Sequence, residues 1–308
     1  MNEIELAMEV VAEGLQFPEG PIAMPDGSVL LVEIQRGTLT RVSPDGTIEV
    51  VAELGGGPNG AALGPDGAVY VCNNGGFTWH EIAGAVIPNG TPADYVSGSI
   101  QRVDLATGEV TELYSECGGR SLRGPNDLVF DGQGGFWFTD HGKPRADVHE
   151  HGAIFHAAAD GSAIRLAIDH LHGPNGIGIS PDGSRLYWAE TPTSRVWSRR
   201  IAAPGELAAP DNPLTPGELV VTMPDYRLFD SLKVEESGAI CVGSLVKGGI
   251  AIVRPSGDWD FVPFPELAVT NLAFGGPDDR TVWATASSSG RLYKLRWPRP
   301  GLRLAHQG

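Results

Sequence analysis

Short apolar runs recur along the whole chain and set its reading. They are Val29-Leu30-Leu31-Val32, Val69-Tyr70-Val71-Cys72, Phe136-Trp137-Phe138-Thr139, Leu186-Tyr187-Trp188-Ala189, Ile240-Cys241-Val242-Gly243 and Val282-Trp283-Ala284-Thr285. Each is short and rich in β-branched or aromatic residues, which predicts strands. Turn triplets punctuate the chain, among them Pro25-Asp26-Gly27, Pro44-Asp45-Gly46, Pro65-Asp66-Gly67 and Pro181-Asp182-Gly183. Asp-Gly between apolar runs is a hairpin signal, because glycine accepts the positive φ such turns need. Further alternating runs follow at 98–103, 152–156, 194–197 and 290–295, with an outer strand at Val110-Thr111-Glu112-Leu113-Tyr114.

Each unit therefore yields about four strands, and the unit repeats six times. A repeat of this period indicates a solenoid or a propeller. The predicted fold is all-β, a six-bladed β-propeller with four-stranded blades, forming one domain over residues 1–308. The first blade is expected to be completed by a strand from the other chain end, which would close the ring and hide its edges. The second unit carries an insertion around 77–95, with Trp79 and His80 placed to cover a pocket. The fourth carries a Pro-rich loop at 203–216. The tail from Trp297 reads as an extended terminal segment.

A second, polar pattern runs in register with the first. Ahead of the apolar runs stand Phe17-Pro18-Glu19-Gly20, Gly57-Pro58-Asn59-Gly60, Gly124-Pro125-Asn126-Asp127, Gly173-Pro174-Asn175-Gly176, Leu228-Phe229-Asp230-Ser231 and Val269-Thr270-Asn271-Leu272. Any one of these phrases could be a simple turn. Six in register, two of them acidic, would converge on one axis if the units are arranged radially. Glu19, Asn126, Asn175 and Asp230 are the predicted metal ligands. Two carboxylates and two amide oxygens make a hard set that favours one divalent cation, calcium first, with magnesium, manganese or zinc as alternatives. Asn59 and Asn271 either hold waters around the ion or serve turns.

Composition narrows the partners. The chain is 41% hydrophobic and 19% charged, normal for a globular protein. Its formal net charge of −16 repels nucleic acid and anionic membranes, so neither is an expected partner. No run of about twenty apolar residues is present, and the N-terminus lacks signal-peptide features. Three irregularly spaced cysteines, Cys72, Cys117 and Cys241, give neither a disulfide framework nor a zinc pattern. A reducing cytoplasm is the expected location. The sequence holds no Gly-x-Ser-x-Gly elbow, P-loop or dinucleotide fingerprint. Nothing in it sets the oligomeric state.

The phrases at Pro18-Glu19-Gly20-Pro21, Gly124 to Leu128, Gly173 to Ile177 and Phe229 to Val234 resemble the signature of one family. It is the senescence marker protein, gluconolactonase and luciferin-regenerating enzyme family of six-bladed propellers, and the resemblance covers nearly the whole chain. It implies a divalent-metal site at the mouth of the central channel and hydrolysis of lactones or related esters. Glu19, Asn175 and Asp230 match the family's metal ligands, and Asn126 matches its fourth ligand or a substrate-contacting asparagine. Asp230 then becomes the expected general base, with Asp127 second. Many members place a substrate-contacting arginine two positions before the residue matching Asn126. Here that position is Gly124 and the arginine is Arg123, so the side chain can point elsewhere. Arg123, Asn126, Asn74 and His141 are the expected substrate contacts, with Asn73, Glu190 and Ser244 as further pocket candidates from their place after strands. His149, His151 and His156 read as a surface cluster. The expected partner is a small lactone or ester, sugar-type first. An aromatic lactone or phosphotriester hydrolase on the same site and a non-catalytic calcium-binding protein are the rivals.

Overall fold

Two-sided burial explains why the strand runs are apolar throughout. In the computed structural model, which describes residues 2–145, 147–148 and 150–307, Val29, Leu30, Leu31 and Val32 are all essentially inaccessible. Leu30 and Val32 pack with residues of the second blade, whereas Val29 and Leu31 pack with residues of the sixth. Successive side chains leave a strand on opposite faces, so each sheet contributes to two cores. The described residues form six such cores, one between each pair of neighbouring blades.

Blade 1 comprises Pro18–Ala23, Val29–Glu33, Thr38–Val42 and Ile48–Glu53, ordered from the channel outward. Blade 2 comprises Pro58–Leu63, Val69–Asn73, Ser99–Val103 and Val110–Tyr114. Between its second and third strands lies the predicted insertion, which folds as a hairpin of Trp79–Ile82 and Ala85–Pro88. Blade 3 runs Pro125–Phe130, Gly135–Asp140, Gly152–Ala158 and Ile164–Leu171. Blade 4 runs Pro174–Ile179, Arg185–Glu190, Arg195–Ala203 and Glu218–Thr222, with Glu206–Leu207 paired at its rim. Blade 5 runs Phe229–Val234, Ile240–Ser244, Gly249–Val253 and Trp259–Pro263.

Closure differs from the sequence expectation. Blade 1 holds four consecutive strands of its own. Blade 6 has only Asn271–Gly275, Thr281–Ala286 and Arg291–Arg296 from the C-terminal side, and Met8–Ala12 supplies its fourth strand. The reason is the position of Pro18, which starts blade 1 on its innermost strand and leaves the N-terminal segment free to pair elsewhere. Antiparallel pairs Met8–Leu295 and Val10–Tyr293 then cover the edge that blade 6 would otherwise expose.

The tail also does more than extend. Trp297 is fully buried in the core between blades 5 and 6 and donates from Nε1 to Glu235 Oε1 at 2.8 Å. The Leu302 N–H donates to Val234 O at 2.9 Å, and Gln307 Nε2 donates to Phe274 O at 3.2 Å. Leu302, Leu304 and Ala305 thereby cross the far end of the channel against Ile22, Ala62 and Val129. The six polar phrases begin at the opposite end of the channel from this tail.

Removing the chain up to Ala12 should expose the Arg291–Arg296 edge and open the ring. We expect a lower thermal midpoint and concentration-dependent association, measured by calorimetry and light scattering. An unchanged midpoint would show that closure contributes nothing.

Candidate metal and active site

Each polar phrase starts an innermost strand, and five of the six are bulged at that point. The register slips between Glu19 and Ile22, Pro58 and Ala61, Pro125 and Leu128, Pro174 and Ile177, and Phe229 and Leu232. A bulge leaves residues unpaired and re-aims them. Glu19, Asn59, Asn126, Asn175 and Asp230 thereby turn into a common cavity of about 410 Å³ at the open mouth. Blade 6 is the exception. Asn271 stays in the ladder opposite Thr285, and its Nδ2 donates to Glu19 Oε2 at 2.8 Å. The two ambiguous asparagines thus part company: Asn59 lines the cavity, and Asn271 fixes a carboxylate.

Two of the phrase glycines are there for close approach. A Cβ on Gly60 would fall 2.5 Å from Asn126 O, and one on Gly176 would fall 2.2 Å from the Leu232 nitrogen. Only glycine lets neighbouring inner strands come this close. Phe17 and Leu228, two residues ahead of the two acids, hold φ of +58° and +55°. Such conformations are costly for bulky residues and mark functional sites. Here they leave Phe17 and Leu228 in the cavity wall.

The four predicted ligands differ in how they are held. Glu19 is 2% exposed, and its Oε2 accepts from its neighbour Gly20 N–H at 2.7 Å as well as from Asn271. Asn175 Nδ2 donates to Thr191 Oγ1 at 3.1 Å, which fixes the amide so that Oδ1 is the remaining acceptor. Ser231 Oγ approaches that Oδ1 at 3.4 Å. Asn126 Oδ1 is buried and has no hydrogen-bond partner. Asp230 keeps part of its surface open.

The electrostatics of this group are unbalanced. Burial pushes the Glu19 carboxyl up to about 7, and the nearby Asp127 charge adds to the rise. Asp230 is pushed well above the usual carboxylate range by burial, then by the Glu19 charge beside it. The charges acting on both acids are negative. An orphaned amide oxygen next to two uncompensated buried carboxylates fits a hard divalent cation. Among the described residues no three His, Cys, Asp or Glu side chains form a metal-binding group. The donor set therefore depends on the asparagine amides, as an oxygen-preferring ion requires.

The remaining candidates separate clearly. Asn74 and His141 line the cavity. Arg123 does not. Its Nη1 donates to His151 O at 2.9 Å and its Nε lies 3.8 Å from Glu150, so the shifted arginine points outward as the register argument allowed. Asp127 lies deeper in the channel, 3.3 Å from Lys233 Nζ, and its Oδ1 accepts from Leu128 N–H. Asn73 and Glu190 are loop anchors instead of pocket liners. Asn73 Oδ1 accepts from Gly57 N–H at 2.8 Å, and Glu190 Oε1 from His172 N–H at 3.3 Å. Asp140 plays the same part in blade 3, accepting from the N–H groups of Arg123, Gly124 and Gly142. Ser244 is buried at the end of its strand, away from the lining. His156 pairs with Asp131 at 2.9 Å and His151 is exposed beside His172, while His149 lies outside the described residues.

The insertion covers the mouth through Phe77, Ile87 and Pro88. Trp79 bridges Phe77 to Phe17, with ring centroids 5.9 and 5.0 Å apart, whereas His80 is exposed. Lys143, which no sequence pattern singled out, stands in the cavity wall at 1% exposure. The three cysteines are free, and Cys72 and Cys241 are buried in the interblade cores.

Comparison with known proteins agrees with the fold. Residues 17–288 match the family profile described as the SMP-30/Gluconolactonase/LRE-like region. A gluconolactonase of Zymomonas mobilis is 25% identical over 206 residues, covering 60% of this chain and 52% of the relative. A diisopropyl-fluorophosphatase of Loligo vulgaris is 27% identical over 209 residues, 63% of each chain. The chain thus spans about half the length of the first of these curated relatives and under two thirds of the second. The structure of a calcium-binding protein, regucalcin, from Agrobacterium tumefaciens superposes with a TM-score of 0.75, covering 99% of this chain and 100% of that one at 18% identity. Six propeller blades, the four site phrases in order and a profile match over most of its length place this chain in the SMP-30/gluconolactonase/LRE-like family.

Proposed function

We propose that this protein is a divalent-metal-dependent lactonase acting in the cytoplasm, with Glu19, Asn126, Asn175 and Asp230 as the ligands. The carrying observation is the orphaned Asn126 Oδ1 beside two buried, uncompensated carboxylates on the floor of a cavity large enough for a small organic substrate. A cation held there supplies Lewis-acid polarisation of the substrate carbonyl. Calcium suits a site of this mixed carboxylate and amide type.

The chain's own residues then divide the work. Glu19 is pinned by two N–H donors and serves as a fixed charge. Asp230 is the acid with open surface, so its carboxylate is the group placed to take the proton from the attacking water. Asp127 is paired with Lys233 and is the weaker candidate for that step. The bulged strands hold the ligands on rigid backbone, which keeps carbonyl and water in one geometry.

The wall favours one class of substrate. Phe17, Ile34, Phe77, Ile87, Leu228 and Leu245 surround the polar floor. Such a wall suits a lactone bearing an apolar substituent better than a bare sugar lactone, because each buried CH₂ adds about 0.8 kcal/mol. Phosphotriester hydrolysis on the same floor is the second reading, favoured by the likeness to the diisopropyl-fluorophosphatase.

Asp230→Asn should lower kcat for γ-lactones by about 10²–10⁴-fold at saturating calcium, as for loss of a general base. Stopped-flow proton release against sugar, alkyl and aryl lactones, with a fluorophosphate as counter-substrate, checks both points. Undiminished turnover in the variant would remove Asp230 from the chemistry. Faster turnover of the sugar lactones would reverse the substrate order.

Metal-free protein should lose stability as pH rises from about 4.5 to about 7. In that window folded Glu19 keeps a proton that the unfolded chain has released, and deprotonation in place is unfavourable. Calcium held at one concentration, about a hundred times its Kd at pH 8, should restore about 2.7 kcal/mol at pH 8 and less at pH 5, where protons compete for the ligands. Calorimetry at both pH values checks this. A gain that is equal at both, or absent, would contradict the site.

A further inference from the structure

Lys143 raises a question that the metal floor does not answer. It is nearly inaccessible, yet its ammonium has no carboxylate within ion-pair distance among the described residues. Nζ donates to Gly76 O at 2.6 Å and approaches Asn74 Oδ1 at 3.3 Å. Its other neighbours are the Phe77 ring, with the centroid at 4.2 Å, and the Tyr95 ring at 5.1 Å. All four partners are neutral. Cation–π contact offsets part of the lost hydration, but not the whole cost of burying a charge. Burial lowers the ammonium pKa to about 7, against the opposing influence of Asp140 and with that of Arg145. Asp140 is engaged elsewhere, its oxygens accepting three backbone N–H bonds, and forms no ion pair with Lys143.

Asn74 supplies an independent second observation. Its Oδ1 accepts from Gly76 N–H at 2.8 Å and faces Lys143, which fixes the orientation of the amide. Its Nδ2 is left buried, with no hydrogen-bond partner, in a residue 2% exposed. An ammonium has three donors, and protein acceptors account for two of them. Asn74, Lys143 and Phe77 all line the substrate cavity. Two unused donors, one of them cationic, therefore stand side by side in the cavity wall, next to the Phe77 ring.

We propose that Lys143 and Asn74 form an anion-recognition site, and that the substrate carries a carboxylate in addition to its lactone ring and apolar substituent. The site rests on the lactonase reading for the ring but not for the anion. A carboxylate seated there accepts from both free donors, and its charge compensates the buried ammonium. Hydrogen bonds to charged groups are worth about 1.5–3 kcal/mol, which is roughly tenfold or more in affinity. Lys143 acts here as a specificity residue, with no part in bond making.

The test separates binding from hydrolysis. A lactam analogue cannot be turned over in the same way, so one bearing a side-chain carboxylate and its primary-amide counterpart are titrated calorimetrically into calcium-loaded wild type, Lys143→Met and Lys143→Arg. The expected result is roughly tenfold or greater preference of wild type for the carboxylate. The preference falls to near one in Lys143→Met and is partly kept in Lys143→Arg. The thermal midpoint of Lys143→Met should not fall, since a buried charge is removed. Equal affinity of wild type for acid and amide, or a preference that survives Lys143→Met, would overturn the anion site. The matching pair of lactones, assayed for hydrolysis, reports on the lactonase reading separately. If the carboxylate lactam binds selectively while neither lactone is cleaved, the anion site stands and the lactonase reading fails.

Discussion

Between neighbouring inner strands there is no room for a methyl group at Gly60 or Gly176. This close approach is the constraint from which the site follows. It brings residues far apart in sequence to one axis, and it is possible only because six interblade cores, built from two-sided strands, draw the blades together. Bulges at the strand starts then turn one polar residue per blade inward in five of the six blades. The sixth keeps its ladder and uses Asn271 to hold Glu19. Rigidity and ligand placement therefore have the same origin.

The same packing creates the electrostatic problem that the site exploits. Two acids are buried near each other with a third negative charge, Asp127, behind them, and only Asp127 has a basic partner. Without a cation the group favours protonation. Under the proposed function, a divalent ion would replace those protons and give the Asn126 Oδ1 acceptor a partner. Strain at Phe17 and Leu228 belongs to the same economy: conformations that bulky residues avoid are held where the ring over-determines them.

Much of this was legible in the chain because it repeats. Six copies of one phrase in register expose a propeller that no single segment would, and the acids at Glu19 and Asp230 stand out against the asparagines. What escaped is what does not repeat. The closing strand Met8–Ala12 has no phrase of its own, so its blade could not be read from periodicity. The bulges depend on cross-strand pairing, which a single sequence does not display. Asp127 and Arg123 were reasonable candidates by position, and their directions are set by Lys233 and by the 150–151 backbone region, both distant from them in sequence. Lys143 is a lone lysine in a loop. Its importance comes from burial and from neutral neighbours contributed by the blade 2 insertion, and neither leaves a local signature.

The central claim is that ring closure assembles one divalent-cation site from four strands of different blades. Calcium titration of metal-stripped protein by calorimetry, for wild type and Glu19→Gln side by side, tests it most directly. The account predicts one ion per chain in wild type and at least tenfold weaker binding in the variant, since a buried charged ligand is lost. No calcium binding in wild type, or binding of equal strength in Glu19→Gln, would contradict it.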